Sequence, residues 1–196
     1  MSATNRGTER IEHDFYATPQ DAILPLLKEI DLSLVESFIE PCAADGAILQ
    51  YFSHLHDIQT AEIRDGIDYF LEDFKCADLL ITNPPFNQAI EFLKKSLTEA
   101  RTVAYLMRLN ILGSKDRKDF WNMNPTTHQF TLSSRPCFVD VCKNKSCKAK
   151  YARKDEVKIC PDCGGKVGKG SDATEYAWFV WDRGGIFKRR PGNYSI

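Results

Sequence analysis

ADLLITNPPF, residues 77–86, is the stretch that decides the fold class. Its first six residues form a short, almost uninterrupted apolar run, which predicts a strand over 77–82 that is buried on both faces, as in parallel sheets. Two prolines follow, and proline cannot continue a central strand. The residue before a proline is also restricted to extended conformations. The strand is therefore expected to end at Thr82 and to hold Asn83 rigidly at its carboxyl end.

Strands and helices alternate on both sides of this stretch. Further strands are predicted over 35–40, 58–62 and 102–107, and helices over 18–30, 46–54 and 87–100. This alternation predicts βαβ units, with a mainly parallel sheet and helices on both faces. The later strand-rich segments, SSRPCFVDV (133–141) and SDATEYAWFVWD (171–182), lack long helices between them, which indicates antiparallel strands at one edge. The predicted fold class is therefore α/β.

Length and composition set the limits of the architecture. The chain has 196 residues, of which 43% are hydrophobic and 27% charged, so one globular domain with a small insert is expected. No apolar run approaches the roughly 18 residues that a membrane helix needs, so a membrane partner is not expected. The polar N-terminus lacks the apolar segment of a secretory signal, which predicts a cytoplasmic location.

Four cysteines have the spacing of a metal site. Cys142 and Cys147 form one pair, and Cys160 and Cys163 form a second pair twelve residues further on, in the sequence CPDCGG. Two such pairs can complete a tetrahedral S4 site, so a structural Zn²⁺ and a zinc-ribbon insert over 142–170 are predicted. Four unrelated thiols are the alternative. A catalytic zinc is disfavoured because four cysteines leave no open coordination position.

The predicted insert is strongly basic. From residue 142 to residue 170 it carries nine bases against three acids. The basic side chains expected to project from the insert, with Tyr151 among them, are Lys143, Lys145, Lys148, Lys150, Arg153, Lys154 and Lys158. Such a surface can contact phosphates, although a merely solvated surface is the alternative.

Acidic residues follow the predicted strands. Glu40 closes the first strand, Glu62 follows the second, and Asp68 precedes the third. Ligands of open α/β sheets bind at the carboxyl ends of strands, where a carboxylate can accept both hydroxyls of a ribose. The turn PCAADG lacks a phosphate-cradling glycine pattern, and Asp45 would repel a pyrophosphate. A cationic nucleoside such as S-adenosylmethionine suits this turn, although acids at loop ends are common in α/β proteins.

Residues 83–86, NPPF, carry the chemistry that we predict. The side-chain oxygen of Asn83 and the carbonyl oxygen of Pro84 could accept both hydrogens of an exocyclic amino group. This arrangement draws the nitrogen toward tetrahedral geometry and aims its lone pair at a methyl donor, while Phe86 stacks on the ring. Orientation and charge complementarity then carry most of the rate. The alternative interpretation is a proline-rich turn beside a buried phenylalanine.

Taken together, these motifs resemble those of S-adenosylmethionine-dependent DNA adenine-N6 methyltransferases. EPCAADG (40–46), DYFL (68–71) and NPPF (83–86), with Glu62, are similar to the ordered motifs of the small solitary enzymes of bacteriophages and bacteria. FYATP (15–19) is similar to the segment that closes over the methionine part of the cofactor. The departures are Ala44, where this family usually has glycine, and the insert, which replaces a short connection.

The resemblance implies a class I (Rossmann-like) methyltransferase domain over 1–141 and 171–196, in a bacterial or phage-infected cell. It places the catalytic residues at Asn83, Pro84, Pro85 and Phe86. The residues implied to bind the cofactor are Tyr16, Thr18, Pro19, Glu40, Pro41, Asp45, Gly46, Glu62, Ile63, Asp68, Tyr69 and Asn83. Tyr16, Thr18 and Pro19 would border its methionine end. Glu62 would bind the ribose, with Ile63, Asp68 and Tyr69 at the adenine.

The resemblance implies methyl transfer to the N6 amino group of adenine in duplex DNA, with the base flipped into the NPPF pocket. Two alternatives stay open. The same chemistry could act on another substrate, such as adenine in RNA or an amide in a protein. The chain could also be a non-catalytic zinc-ribbon DNA-binding protein on a methyltransferase scaffold. The zinc ribbon is expected to contribute DNA contacts or sequence choice.

Overall fold

The structure is a computed structural model and describes residues 17–147, 149–152, 155–170 and 174–196. Within these residues the chain forms three α-helices and ten strands. The helices are α1 (Gln20–Glu29), α2 (Ala89–Glu99) and α3 (Lys118–Met123). The strands are β1 (Ser37–Glu40), β2 (Asp57–Thr60), β3 (Ala77–Thr82), β4 (Ala100–Arg108), β5 (His128–Thr131), β6 (Val139–Cys142), β7 (Lys150–Ala152), β8 (Val167–Lys169), β9 (Tyr176–Asp182) and β10 (Gly192–Ser195).

Seven strands form one sheet in the order β10-β5-β9-β4-β3-β1-β2. Strands β2, β1, β3 and β4 are mutually parallel, whereas β9 runs antiparallel between β4 and β5. The chain passes from β1 to β2 on one side and then returns to β3 on the other side of β1. This reversal makes a topological switch point between β1 and β3. The prediction of a mainly parallel α/β sheet with antiparallel strands toward one side is confirmed.

The core lies on both faces of the sheet, because side chains alternate along each strand. On one face, Leu79 and Ile81 of β3 pack in a cluster that contains Ile23 of α1. On the other face, Leu80 packs in a cluster that contains Leu93 of α2. Helices therefore cover both faces, as predicted. No helix in the described part of the chain combines the length and apolarity needed to cross a membrane.

The helix predicted over 46–54 is wrong. The structure has a single 3₁₀ turn there, Leu49–Tyr51. One backbone hydrogen bond spans four residues, from Gln50 to Gly46, but the N–H groups of Tyr51 and Phe52 bond to carbonyls three residues back. The preceding loop enters this segment through two left-handed residues, Ala44 with φ of 50° and Gly46 with φ of 73°. The turn then brings Phe52 onto Phe38 of β1, with ring centroids 4.0 Å apart. The segment therefore forms one short turn that packs Phe52 against the sheet, and it does not form a helix.

The helix start also differs from the prediction. Thr18 is predicted to cap a helix with Pro19 as its first residue, but α1 begins at Gln20 and Pro19 occupies the capping position. The carbonyl of Pro19 accepts from the backbone N–H groups of Ala22 and Ile23. Because proline has no capping side chain, this end has no side-chain cap.

The other three strands form a separate small sheet in the order β7-β6-β8, which contains the cysteine knuckles. Residues 133–138, expected to continue a strand of the main fold, are not in a strand. Only β6 is extended, and it pairs within the small sheet. The small sheet begins at Val139, before the predicted boundary at Cys142. It contacts the main fold at Lys169, whose Nζ lies 3.9 Å from Oδ2 of Asp21 in α1.

Candidate active site

The candidate site lies at the carboxyl ends of the parallel strands, beside the switch point. Strand β1 ends at Glu40, β3 ends at Thr82 directly before Asn83, and β4 ends at Arg108. Parallel neighbours end on the same edge of a sheet, so the fold brings these three segments together. Ligands of open α/β sheets bind in the crevice at this position.

Glu40 is a buried acid with an unused acceptor. Its exposed fraction is 2%, and its Oε2 atom has no hydrogen-bond partner among the described residues. Burial raises the pKa of this carboxyl well above its usual range, a backbone hydrogen bond at Leu49 opposes the shift, and the negative charge of Glu62 adds to it. Buried polar atoms without partners are rare and call for an explanation. A bound cation or hydroxyl group would supply the missing partner.

The loop after β1 is held by the end of β2. The backbone N–H of Ala43 donates to the carbonyl of Ala61 at 2.9 Å, and the N–H of Ala61 donates to the carbonyl of Glu40 at 3.1 Å. The N–H of Ala44 donates to Oε2 of Glu62 at 2.7 Å. These bonds fix the loop in a conformation that needs a positive φ at Ala44. Glycine adopts such a φ without strain.

The carboxylate of Glu62, predicted to bind ribose, already has protein partners. Its Oε1 atom accepts from the backbone N–H of Arg64 at 3.1 Å and from Nε of Arg64 at 3.0 Å. Nη2 of Arg64 also lies 3.5 Å from Oδ1 of Asp45. A ribose would therefore use the remaining lone pairs of Glu62 or displace the guanidinium of Arg64.

The residues predicted near the adenine differ in their exposure. Ile63 is 50% exposed directly after Glu62, as an apolar contact for a ligand ring requires. Asp68 accepts from the backbone N–H of Phe70 at 2.9 Å, so its carboxylate shapes a turn.

Tyr69 requires a correction, because the structure places it in the core with an exposed fraction of 2%. Its hydroxyl donates to Glu99 at 2.5 Å and lies 2.9 Å from Oγ of Ser96, and its ring stacks on Phe92. Burial raises the pKa of Tyr69 far above its usual range, with the Glu99 hydrogen bond adding to the shift. The side chain of Tyr69 is therefore structural and is not open to a cofactor.

The N-terminal residues of the predicted site lie partly beyond the description. Tyr16 falls outside the described residues, while Thr18 and Pro19 are buried at the start of α1. Helix α1 is fixed to β9, since Nε1 of Trp178 donates to the carbonyl of Ala22 at 2.8 Å. It packs in the same apolar cluster as Phe86. The Thr18 end of α1 and the NPPF motif are therefore attached to the same face of the sheet.

The NPPF segment leaves β3 as predicted. The Oδ1 atom of Asn83 is buried, Pro84 is buried, and Phe86 is half-buried. The guanidinium carbon of Arg108 lies 4.4 Å from the centroid of the Phe86 ring. Sequence reasoning did not single out Arg108. Its position directly after the predicted strand 102–107, at the edge that carries the other candidate residues, is the signal that could have identified it.

The four predicted metal ligands converge in the small sheet. The Sγ atoms of Cys142, Cys147, Cys160 and Cys163 all lie within 4.8 Å of one another. The Cys142–Cys163 pair is 3.5 Å apart and the Cys147–Cys160 pair 3.7 Å. A tetrahedral site with Zn–S bonds of about 2.3 Å places its sulfurs roughly 3.8 Å apart. The donor set therefore fits a tetrahedral metal ion.

Two other residues shape this cluster. The Tyr151 hydroxyl donates to Sγ of Cys160 at 2.9 Å, and this hydrogen bond lowers the pKa of Cys160 to about 6. A lower pKa favours the thiolate that binds metal. A Cβ added at Gly165 would lie 3.1 Å from Sγ of Cys142, so a larger residue would crowd the sulfurs. The hydrogen bond from Tyr151 to this cysteine cluster was not predicted.

The fold of the chain resembles that of a solved methyltransferase-type structure. It matches a proposed RNA methyltransferase from Pyrococcus horikoshii with a TM-score of 0.51 and 14% sequence identity, over 84% of this chain and 85% of that chain. No protein-family profile matches the chain, and no curated protein matches it. At this identity the likeness establishes a methyltransferase-like fold.

Proposed function

We propose that the protein transfers a methyl group from S-adenosylmethionine to the N6 amino group of adenine in DNA. The observation that carries the proposal is the position of Asn83-Pro84-Pro85-Phe86. This motif starts at the carboxyl end of β3, next to the strand β1 that ends at the buried Glu40. In a methyltransferase-like fold, this juxtaposition provides an amine-binding motif beside an acidic nucleoside site.

The charges of the site suit the cofactor. S-adenosylmethionine carries a sulfonium, an ammonium group and a ribose diol, and when bound it supplies the methyl group as an electrophile. Glu40 presents a buried acceptor, and Asp45 adds a second acid in the same loop. Glu62 lies at the end of the neighbouring strand, and Ile63 offers an exposed apolar surface for the adenine. A phosphate-bearing cofactor would be repelled by the same acids.

The chain's own residues would activate the target amine. The exocyclic nitrogen of adenine is a weak nucleophile, because its lone pair is delocalised into the ring. Asn83 Oδ1 and the Pro84 carbonyl oxygen would accept its two hydrogens and direct the lone pair toward the methyl donor. Phe86 would stack on the flipped base, whose extrusion costs a few kcal/mol. The prolines restrict the backbone, so little reorganisation is needed when the base enters.

We also propose that Cys142, Cys147, Cys160 and Cys163 hold a structural Zn²⁺. The surface of this zinc ribbon is basic, and the described lysines that are exposed on it are Lys143, Lys145, Lys150, Lys158, Lys166 and Lys169. Phe138, the residue before β6, has its ring centroid 5.2 Å from that of Tyr176, which in turn lies 6.1 Å from Phe86. The base of the ribbon is therefore next to the target site. Its lysines would contact DNA that flanks the flipped adenine.

RNA is the second candidate substrate, because the solved structure that matches this fold is described as a proposed RNA methyltransferase. The NPPF chemistry does not discriminate between the two, since adenine presents the same amino group in both. The 2′-hydroxyl is what distinguishes RNA from DNA at a protein surface. The substrates must therefore be compared directly.

The test uses radiolabelled S-adenosylmethionine with genomic DNA, with total RNA and with a protein extract. We expect label in DNA, recovered as N6-methyladenine. The Asn83→Ala variant should lose methyl transfer while still binding S-adenosylhomocysteine. The Asn193→Ala variant, which alters an exposed asparagine on β10, is the matched control and should keep full activity. Label in RNA alone or in protein alone would replace the DNA assignment, and absence of label from all three substrates would overturn the enzymatic one.

A further inference from the structure

Arg108 lies against the aromatic residues of the candidate target site. It is the last residue of β4, and its Nε donates to the hydroxyl of Tyr176 at 3.0 Å. Its guanidinium carbon lies 4.4 Å from the Phe86 ring centroid and 5.9 Å from that of Tyr176. Tyr176 is only 1% exposed, so its hydroxyl is a fixed anchor. The guanidinium is therefore positioned over the Phe86 ring.

The guanidinium occupies a surface that the target base needs. A guanidinium is planar and stacks on aromatic faces, as a nucleobase also does. Phe86 is the ring to which the proposed function assigns stacking on the adenine. Base and guanidinium cannot cover the same face of one ring, so entry of the adenine on that face requires Arg108 to leave it.

The displaced side chain has a partner that arrives with the base. A flipped nucleotide brings its flanking phosphates to the mouth of the pocket. Arginine binds phosphate through two parallel charge-assisted hydrogen bonds, which are stronger than neutral ones. We propose that Arg108 is a target-nucleotide-binding residue, whose guanidinium covers Phe86 in the free protein and binds a phosphate beside the flipped adenine in the complex. The proposal rests on the proposed function.

The experiment compares Arg108→Met with Arg101→Met. Methionine keeps an unbranched apolar side chain and removes the charge. Arg101 lies near the other end of β4 and is exposed, so it is a matched control far from the site. The probe is a fluorescein-labelled single-stranded oligodeoxyadenylate, titrated by anisotropy at several NaCl concentrations with S-adenosylhomocysteine present. Thermal melting verifies that each variant is folded.

We expect Arg108→Met to weaken binding by about tenfold and Arg101→Met to leave it within about twofold. Loss of one phosphate contact on a single strand should also reduce the slope of log K against log[salt] by about 0.7. Arg108→Lys should keep the slope, since it keeps the charge, but lose affinity severalfold because the bidentate geometry is lost. If Arg108→Met is not folded, Arg108→Lys replaces it as the test. A severalfold loss of affinity then supports the bidentate contact, and unchanged affinity overturns it.

The outcomes separate this proposal from the proposed function. If Arg108→Met binds the probe with unchanged affinity and unchanged salt slope, the proposal for Arg108 is overturned, whatever the methylation assay reports. An equal loss in Arg101→Met would also overturn it, because the effect would then be a general one of net charge. The wild type could methylate no nucleic acid while Arg108→Met still binds the probe more weakly and with a smaller slope of log K against log[salt]. In that case the methyltransferase assignment fails but the phosphate contact of Arg108 stands.

Discussion

Ala44 is strained in the loop that forms the candidate cofactor site, and its replacement by glycine should stabilise the protein. Its φ of 50° lies in the left-handed region, and its N–H donates to Oε2 of Glu62. Glycine adopts this conformation without a steric penalty. Because the hydrogen bond uses only the backbone, Ala44→Gly should keep it and remove the strain.

The expected increase in the free energy of unfolding of Ala44→Gly is the difference between two opposing contributions. A left-handed conformation costs an L-residue about 1–2 kcal/mol. Glycine also gains conformational entropy in the unfolded chain, which offsets about 0.4–1 kcal/mol of that relief. The net stabilisation therefore lies between about 0 and 1.6 kcal/mol, with a central value of about 0.8 kcal/mol. For a chain of this size each kcal/mol raises Tm by about 2–4 °C. We expect Tm to rise by about 1–4 °C.

The assay is thermal unfolding followed by circular dichroism, together with urea denaturation. Ala47→Gly is the matched control: Ala47 belongs to the same loop region and packs against the core, but it has no positive φ. It should lower the free energy of unfolding by about 1 kcal/mol, because the glycine adds unfolded-state entropy and removes a methyl contact. A higher free energy of unfolding for Ala44→Gly together with a lower one for Ala47→Gly would support the left-handed conformation at Ala44. Equal destabilisation by both would refute it.

Two further predictions concern pH and metal. The raised pKa of Glu40 means that its ionisation opposes folding once the pH exceeds 4.5, and increasingly so until the pH passes the raised value. The Glu40→Gln variant should therefore be more stable than the wild type at pH 7 and equally stable below pH 4.5, as measured by urea denaturation at each pH. The control Glu36→Gln, which changes an exposed residue, should show no such difference. Wild-type protein should contain one zinc per chain by elemental analysis, and the Cys163→Ser variant should lose this zinc on dialysis. The control Cys76→Ser, which changes an exposed cysteine outside the cluster, should retain it. Retention of zinc by Cys163→Ser would contradict the proposed site.

Local patterns predicted the parallel half of the sheet well. The bounds of β3 match the prediction residue for residue, because the apolar run and the prolines after it act on the local backbone. The predicted helix over 87–100 corresponds to α2, Ala89–Glu99. The pattern over 46–54 also has helical spacing, but the left-handed residues before it and the packing of Phe52 against β1 leave only one 3₁₀ turn. Propensity is a weak prior that tertiary context overrides.

The candidate site was predictable in part for the same reason. Glu40 is the last residue of a strand, and Glu62 and Asn83 follow strands. The carboxyl ends of parallel strands meet at one edge, so the proximity of these residues follows from the order of elements. The side on which Tyr69 packs does not follow from that order. The Tyr69 hydroxyl forms hydrogen bonds with Ser96 and Glu99 on α2, some thirty residues away along the chain, and these bonds hold the Tyr69 side chain in the core.

By itself, the sequence determined the alternation of strands and helices, the rigid NPPF segment and the four-cysteine pattern, because each depends on neighbours within a few residues. Only the tertiary structure decided that Arg108 covers Phe86 and that Tyr176 anchors it. Arg108 and Tyr176 are register partners in the antiparallel pair of β4 and β9, which are separated along the chain by α3, β5 and the small sheet. Such a contact depends on strand register and on packing across the whole fold, and no local pattern specifies either one.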